Sequence, residues 1–217
     1  MEKNAGRGKL SMERYLSAGS SFARRQYAPH LAVTVLFCCM SGFFVSFRNL
    51  DALQAAKVME MYGSFAGILL LTPLFMPEQD REIWLLEKSK ATPLWKLYAI
   101  RLLIAAALLA VVVTVFIQAM QRGNSQFNVD QLWAGAFCEA FFLGSIGFFV
   151  SGATNQAVLG YMASVVYFFT NIGASKYLGV FGLFQMMKGE YGFIAPMAAL
   201  SLFLVAGAAA LRERAAP

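Results

Sequence analysis

Few residues in this chain could carry chemistry, and they are scattered. The one histidine, His30, opens an apolar stretch, and Ser145 in Gly144-Ser145-Ile146-Gly147 is the hydroxyl with which it could form a base and nucleophile pair. A nucleophile needs its base within hydrogen-bond reach. The layout below puts His30 at one edge of a bilayer and Ser145 near mid-depth, which argues against the pair and against an intramembrane hydrolase built on it. Cys38, Cys39 and Cys138 follow no metal-ligand spacing and are odd in number, so they read as small buried apolar residues. The chain has no GxxxxGK[ST] phosphate loop and no metal cluster. It is therefore expected to be no enzyme, to have no catalytic residue and to hold no cofactor of its own.

Three residues inside apolar stretches remain as candidates for a substrate pathway: Glu139, Asn171 and Phe141. A carboxyl at membrane depth is costly and commonly faces a protein interior or an aqueous cavity. Two readings of Glu139 stand, a pathway residue or a group solvated near an interface or bonded to a neighbouring helix. Asn171 either pairs helices or touches substrate. Phe141 belongs to Phe-rich faces, with Phe43, Phe44, Phe47, Phe142, Phe148 and Phe149, that suit an amphiphile path or a lipid-facing surface.

The elements that must position these residues follow from composition. The 217 residues are 59% hydrophobic and 14% charged, with a mean hydropathy of +0.57, whereas a soluble domain carries about 25% charged residues. This is the composition of a polytopic membrane protein. About 20 apolar residues cross a bilayer as a helix, and six stretches fit: His30 to Phe47, Val58 to Met76, Tyr98 to Met120, Leu132 to Ser151, Ala157 to Ala174 and Phe193 to Leu211. Backbone polar groups in lipid must bond internally, and no ten-residue alternation of a barrel is present, so helices are expected. With both termini cytoplasmic, thirteen Lys and Arg fall inside and five outside. The net charge of +6 is then explained by topology and by contact with anionic lipid, without nucleic acid. No cleavable signal peptide is expected before the first stretch.

Small residues mark close helix contacts, Gly63 and Gly67 in the second stretch and Gly144, Gly147 and Ser151 in the fourth. Gly152, Thr154, Asn155 and Gln156 read as a short turn. Ser11 to Tyr27 sets Met12, Tyr15, Leu16, Gly19 and Phe22 opposite Glu13, Arg14, Arg24 and Arg25, the pattern of a helix lying in the membrane interface. It serves as an anchoring flank or as a surface that also meets a cytoplasmic partner.

The loop between the second and third stretches carries the most information. Met76-Pro77 closes one span, and Glu78, Asp80 and Glu82 then favour the start of a short helix, from about Asp80 to Ser89. Ile83, Trp84, Leu86 and Glu87 share part of one face, Thr92-Pro93 ends the helix, and Trp95, Tyr98, Lys96 and Arg101 mark re-entry at the headgroups. This acidic start, short helix, turn and basic opening of the next span resembles the permease subunits of type-2 ABC transporters. The six-span count, the interfacial first helix and the segment Leu143 to Phe169 are similar as well, so the resemblance covers nearly the whole chain.

That resemblance implies an all-α membrane protein of six transmembrane helices, with an N-terminal interfacial amphipathic helix and a short cytoplasmic coupling helix. Residues 1–28 would be the tail and interfacial helix, 29–211 the transmembrane domain with its coupling loop at 77–97, and 212–217 a cytoplasmic tail. Asp80, Glu82, Ile83, Trp84, Leu86, Glu87 and Arg14 would contact the ATPase. Residues 175–192 would form a re-entrant cap over the pathway; the bland alternative is a surface-adsorbed loop. The expected partners are cytoplasmic ABC ATPase subunits, which hold ATP and Mg, a second permease subunit, identical or related, and membrane lipids. The expected place is the bacterial inner membrane, multi-pass, and the expected activity is export. An ion-gradient-driven secondary transporter using Glu139 is the alternative.

Overall fold

The computed structural model describes residues 27–79 and 94–214. Asp80, Glu82, Ile83, Trp84, Leu86, Glu87 and Arg14, and the interfacial and coupling helices with them, lie outside the described residues.

The described residues are helical throughout their regular structure. α1 spans Ala28–Phe44. α2 starts at Ala52 and is regular to Val58, passes through a π-helical turn at Met59–Gly63, resumes as α-helix over Ser64–Leu71, and tightens to 3₁₀ over Thr72–Gln79. α3 is Leu94–Arg122, α4 Val129–Thr154, α5 Ala157–Leu178 and α6 Ile194–Arg214. Among the described residues four segments are long and apolar enough to cross a membrane: Ala52–Pro77, Trp95–Arg122, Val129–Thr154 and Ile194–Arg214; Ala28–Phe44 and Ala157–Gly173 are shorter apolar helices.

α2 begins six residues before the expected Val58. Asp51 caps it, accepting from the Gln54 amide at 2.7 Å while the Gln54 side chain accepts from the Asp51 amide at 3.3 Å. This reciprocal box satisfies two of the donors that a helix N-terminus leaves open. α4 and α5 are joined by a tight turn in which Asn155 takes a left-handed conformation at φ 57°, a conformation that Asn tolerates better than most residues.

α4 is the hub, packed by α2, α3, α5 and α6. Its small residues allow this. A Cβ on Gly67 would overlap the Ala140 carbonyl, and one on Gly144 would overlap the Gly67 carbonyl; Gly147 meets Thr72 and Ser164 in the same way. Gly63 differs from expectation: the nearest atoms that a Cβ there would meet are those of Met59, within its own helix. Ser164 Oγ donates to the Leu143 carbonyl at 2.9 Å and Trp133 Nε1 donates to Thr114 Oγ1 at 3.1 Å, tying α5 and α3 to the hub.

The outer surface is apolar. Val33, Leu36, Met40 and Phe43 on α1, Leu103, Val111 and Val115 on α3, Met162, Val166 and Phe169 on α5, and Leu202 and Phe203 on α6 are exposed. An aqueous protein rarely shows so large a continuous apolar surface, whereas lipid favours one. The chain is a helical, multi-pass membrane protein.

At one end, residues 45–51 and 123–128 are stitched together. Asn49 donates to the Gly123 carbonyl at 2.8 Å, Gln126 to the Leu50 carbonyl at 3.0 Å, and Leu50 to Ser125 Oγ at 3.0 Å. At the other end the Tyr27 hydroxyl donates to the Leu70 carbonyl. There Arg101, expected at the headgroups, is only 3% exposed and donates to the Leu74 carbonyl at 3.4 Å, while Arg212 lies over the Phe75 ring. The 3₁₀ geometry of Thr72–Gln79 accounts for Arg101: tighter turns leave carbonyls without their α-helical partners, and a guanidinium can fill that role.

Candidate functional site: a carboxylate pair beneath a folded-in turn

The buried Glu60, Glu139, Asn171 and Gln185 lie where the 179–193 segment meets α2, α4 and α5. This segment has two short 3₁₀ turns, Gly179–Phe181 and Met186–Lys188. Leu183, Met186 and Phe193 are buried in it. Met186 fills the space that Gly135 leaves open on α4, where a Cβ would overlap its sulfur.

Four side chains hold the segment in place. Asn171 Oδ1 accepts from the Leu183 amide at 2.7 Å while its Nδ2 donates to the Tyr167 carbonyl at 2.8 Å. The Tyr167 hydroxyl donates to the Phe181 carbonyl at 2.6 Å, and Gln185 Nε2 donates to the carbonyls of Gly179 and Gly182 at 2.7 and 3.0 Å. Glu60 bonds the segment from α2. Its Oε1 accepts from the Met186 amide at 2.6 Å, and the Met187 amide is shared between Oε1 and Oε2 at 3.3 and 3.2 Å. Hydrogen bonds to an ionised acceptor contribute about 1.5–3 kcal/mol each.

Glu60 lies in the π-helical turn of α2. Such turns are rare and recur at functional positions, because the extra residue re-aims one side chain. Eight residues from the helix start, at 1.5 Å per residue, place Glu60 roughly 12 Å into the bundle, and ten residues from Val129 place Glu139 at roughly 15 Å. The two carboxyls approach from neighbouring helices at nearly the same depth.

Glu139 is wholly buried, and neither carboxyl oxygen has a hydrogen-bond partner. The Phe184 amide faces it without reaching hydrogen-bond geometry. Of the two Glu139 readings drawn from sequence, the one of a group solvated at an interface or bonded to a neighbouring helix gives way to an enclosed and unsatisfied acid. Ser64 Oγ, one turn beyond Glu60, is likewise buried and without a partner. Outside the spans, burial and then the nearby Glu60 hold the Tyr191 phenol above its usual pKa.

Of the three pathway candidates, Glu139 and Asn171 meet at this segment, one beneath Phe184 and the other bonded to Leu183. Phe141 does not. It stacks on Phe137 at 5.9 Å, which in turn stacks on Trp133 at 5.2 Å, along another face of α4. Glu60 is the residue that sequence reasoning missed. With the second stretch begun at Val58, it stood at a membrane edge where an acid attracts no attention; the Asp51-x-x-Gln54 box was the available signal that the helix starts earlier. Among the described residues no group of three or more His, Cys, Asp or Glu is placed to hold a metal ion. No family model, curated protein or solved structure matches this chain, so the site must be read from its own geometry.

Proposed function

We propose that this chain is the membrane permease subunit of an ATP-driven exporter, a six-span bundle with cytoplasmic termini that works with a second permease subunit and separate cytoplasmic ABC ATPases in a bacterial inner membrane. The observation that supports this reading is the 179–193 segment, folded against the bundle between α5 and α6 and pinned by Glu60, Asn171 and Tyr167. The resemblance to type-2 ABC permeases places a re-entrant cap there. On this reading α1 and α5, the two shorter apolar helices, also span, and the pinned end faces outward. Cargo release would require these bonds to part while the hub contacts of α4 hold. The 77–97 loop would carry the mechanical input, through Asp80, Glu82, Ile83, Trp84, Leu86 and Glu87, with Arg14 on the preceding helix.

A second reading has its own support. The unsatisfied Glu139 beside Glu60 is the kind of intramembrane acid used by gradient-driven transporters.

Purification of the tagged chain in mild detergent, with mass spectrometry of what accompanies it and an ATPase assay, separates the two. Stoichiometric recovery of an ATP-binding subunit, lost on Trp84→Ala with Glu87→Ala, supports the permease. Recovery of the chain alone under crosslinking, with uptake that follows an imposed ion gradient and fails in Glu139→Gln, supports the gradient-driven transporter.

A further inference from the structure

Glu139 poses a charge problem that the fold must solve. An ionised carboxylate removed from water with no donor costs several kcal/mol, and here it would also face Glu60. Glu60 is buried too, but two amides converge on it and Lys188 lies within electrostatic reach, and these contacts favour its anion. The pair is thus unequally supplied: amide donors reach Glu60, and none reaches Glu139 in hydrogen-bond geometry.

The charge on Glu139 must be cancelled by something that fits. The backbones of α2 and α4 touch at Gly67, Ala140 and Gly144, and the Glu139 side chain is fully enclosed. A proton is the one cation that needs no additional space. The buried Ser64 hydroxyl, independently without a partner, stands on the same face as Glu60 one turn further in.

Among the described residues no other charged group takes over this task. Tyr167 on α5 and Cys138 on α4 lie near Glu139, and Tyr191 lies near Glu60. None of these is a cation. On α3 and α6, Arg101 bonds Leu74 and Arg212 covers Phe75, at the far end of the bundle. On α1, His30 pairs with Tyr161, also toward that far end.

We propose that Glu60 and Glu139 form a proton-binding site that latches the Phe184–Met187 turn, docked while Glu139 carries the proton and released when it loses it. On release the proton passes from the Glu139 carboxyl to water at the loop end, leaving a carboxylate beside the Glu60 carboxylate. Repulsion within the pair, and the demand of the new anion for donors, then compete for the amides of residues 184–187 that dock the turn. The latch depends on the docked geometry alone, so failure to find an ATPase partner would leave it standing.

Hydrogen–deuterium exchange of the peptide covering Met186 and Met187, in the purified full chain in lipid nanodiscs, tests this. Protection is expressed relative to the intrinsic exchange rate at each pH. The wild type should lose protection by roughly tenfold per pH unit over part of the range from about pH 5 to about pH 9, the slope of a one-proton linkage. Glu139→Gln should stay protected as pH rises, without that loss. A flat wild-type profile, or a Glu139→Gln profile that keeps the slope, overturns the proposal. Should that variant fail to fold, infrared spectroscopy of the wild type decides: at a pH where the turn is protected and exposed carboxyls are ionised, a protonated carboxyl C=O band should be present and should fade together with protection. Absence of that band, or its persistence after protection is lost, rejects the latch.

Discussion

Gly67 on α2 and Ala140 on α4 are in direct backbone contact, so the two helices meet where neither can accept another atom. A methyl added at Gly67 would strike a carbonyl of a regular helix, which cannot move aside as a flexible side chain can. Gly67→Ala should therefore cost about 1–3 kcal/mol, the usual range for overpacking, and lower the thermal midpoint in detergent by several degrees. Gly173→Ala is the control, because nothing lies within 4 Å of a Cβ there. It should be neutral or slightly stabilising, since Ala is the better helix former by about 1 kcal/mol.

The Glu60 carboxylate and the amides of Met186 and Met187 give a prediction in which two variants differ. Glu60→Gln keeps an acceptor oxygen but loses the charge, so the turn should stay docked with weaker protection. Glu60→Ala leaves two buried or part-buried N–H groups without a partner, at about 1–3 kcal/mol each. Limited proteolysis within 179–193 should therefore rank Ala above Gln above wild type in cleavage rate. Equal cleavage in all three would mean that Glu60 does not hold the turn.

The broad architecture was legible because lipid imposes a strong, one-dimensional rule: apolar stretches of about 20 residues become helices. The stretch around Tyr98 to Met120 falls within α3, and that around Leu132 to Ser151 within α4. The Asn155 turn was legible from its residue types. The site was only half legible. Glu139 stood out because an acid deep in an apolar run is conspicuous, whereas Glu60 did not, because its depth depends on where α2 starts and that start is set by the local Asp51–Gln54 box. The π-helical turn left no compositional mark, since Met59 to Gly63 reads as ordinary helix. Arg101 was placed at the headgroups by its position near a span end, and only the folded chain reveals the Leu74 carbonyl that accepts from it.

Asn171 anchors the other shoulder of the same segment. Its Oδ1 takes the amide of Leu183, a residue 1% exposed, so removal strands a donor where water does not reach. Asn171→Leu should cost about 1–3 kcal/mol locally and raise exchange at Leu183. Asn171→Asp keeps the acceptor and strengthens that bond while losing the donor to the Tyr167 carbonyl. It should retain more protection at Leu183 than Asn171→Leu does, and the reverse order would show that packing rather than the hydrogen bond sets the position of the segment.

Glu139 should show an opposition between stability and function. A buried polar group without partners destabilises the fold it sits in, and an apolar side chain of similar volume removes that cost. Glu139→Met should thus raise the thermal midpoint, by an amount corresponding to about 1–3 kcal/mol. The same variant should abolish the loss of protection at Met186 and Met187 as pH rises, because the carboxyl that holds the releasing proton is gone. A variant that melts lower than wild type would instead assign Glu139 a structural partner in the native membrane. A variant that melts higher yet keeps the pH slope would move the titrating group elsewhere in the bundle, with Tyr191 and Glu60 the first to examine. A stabilised protein with a flat profile is the outcome specific to an acid kept at a cost for the proton it carries.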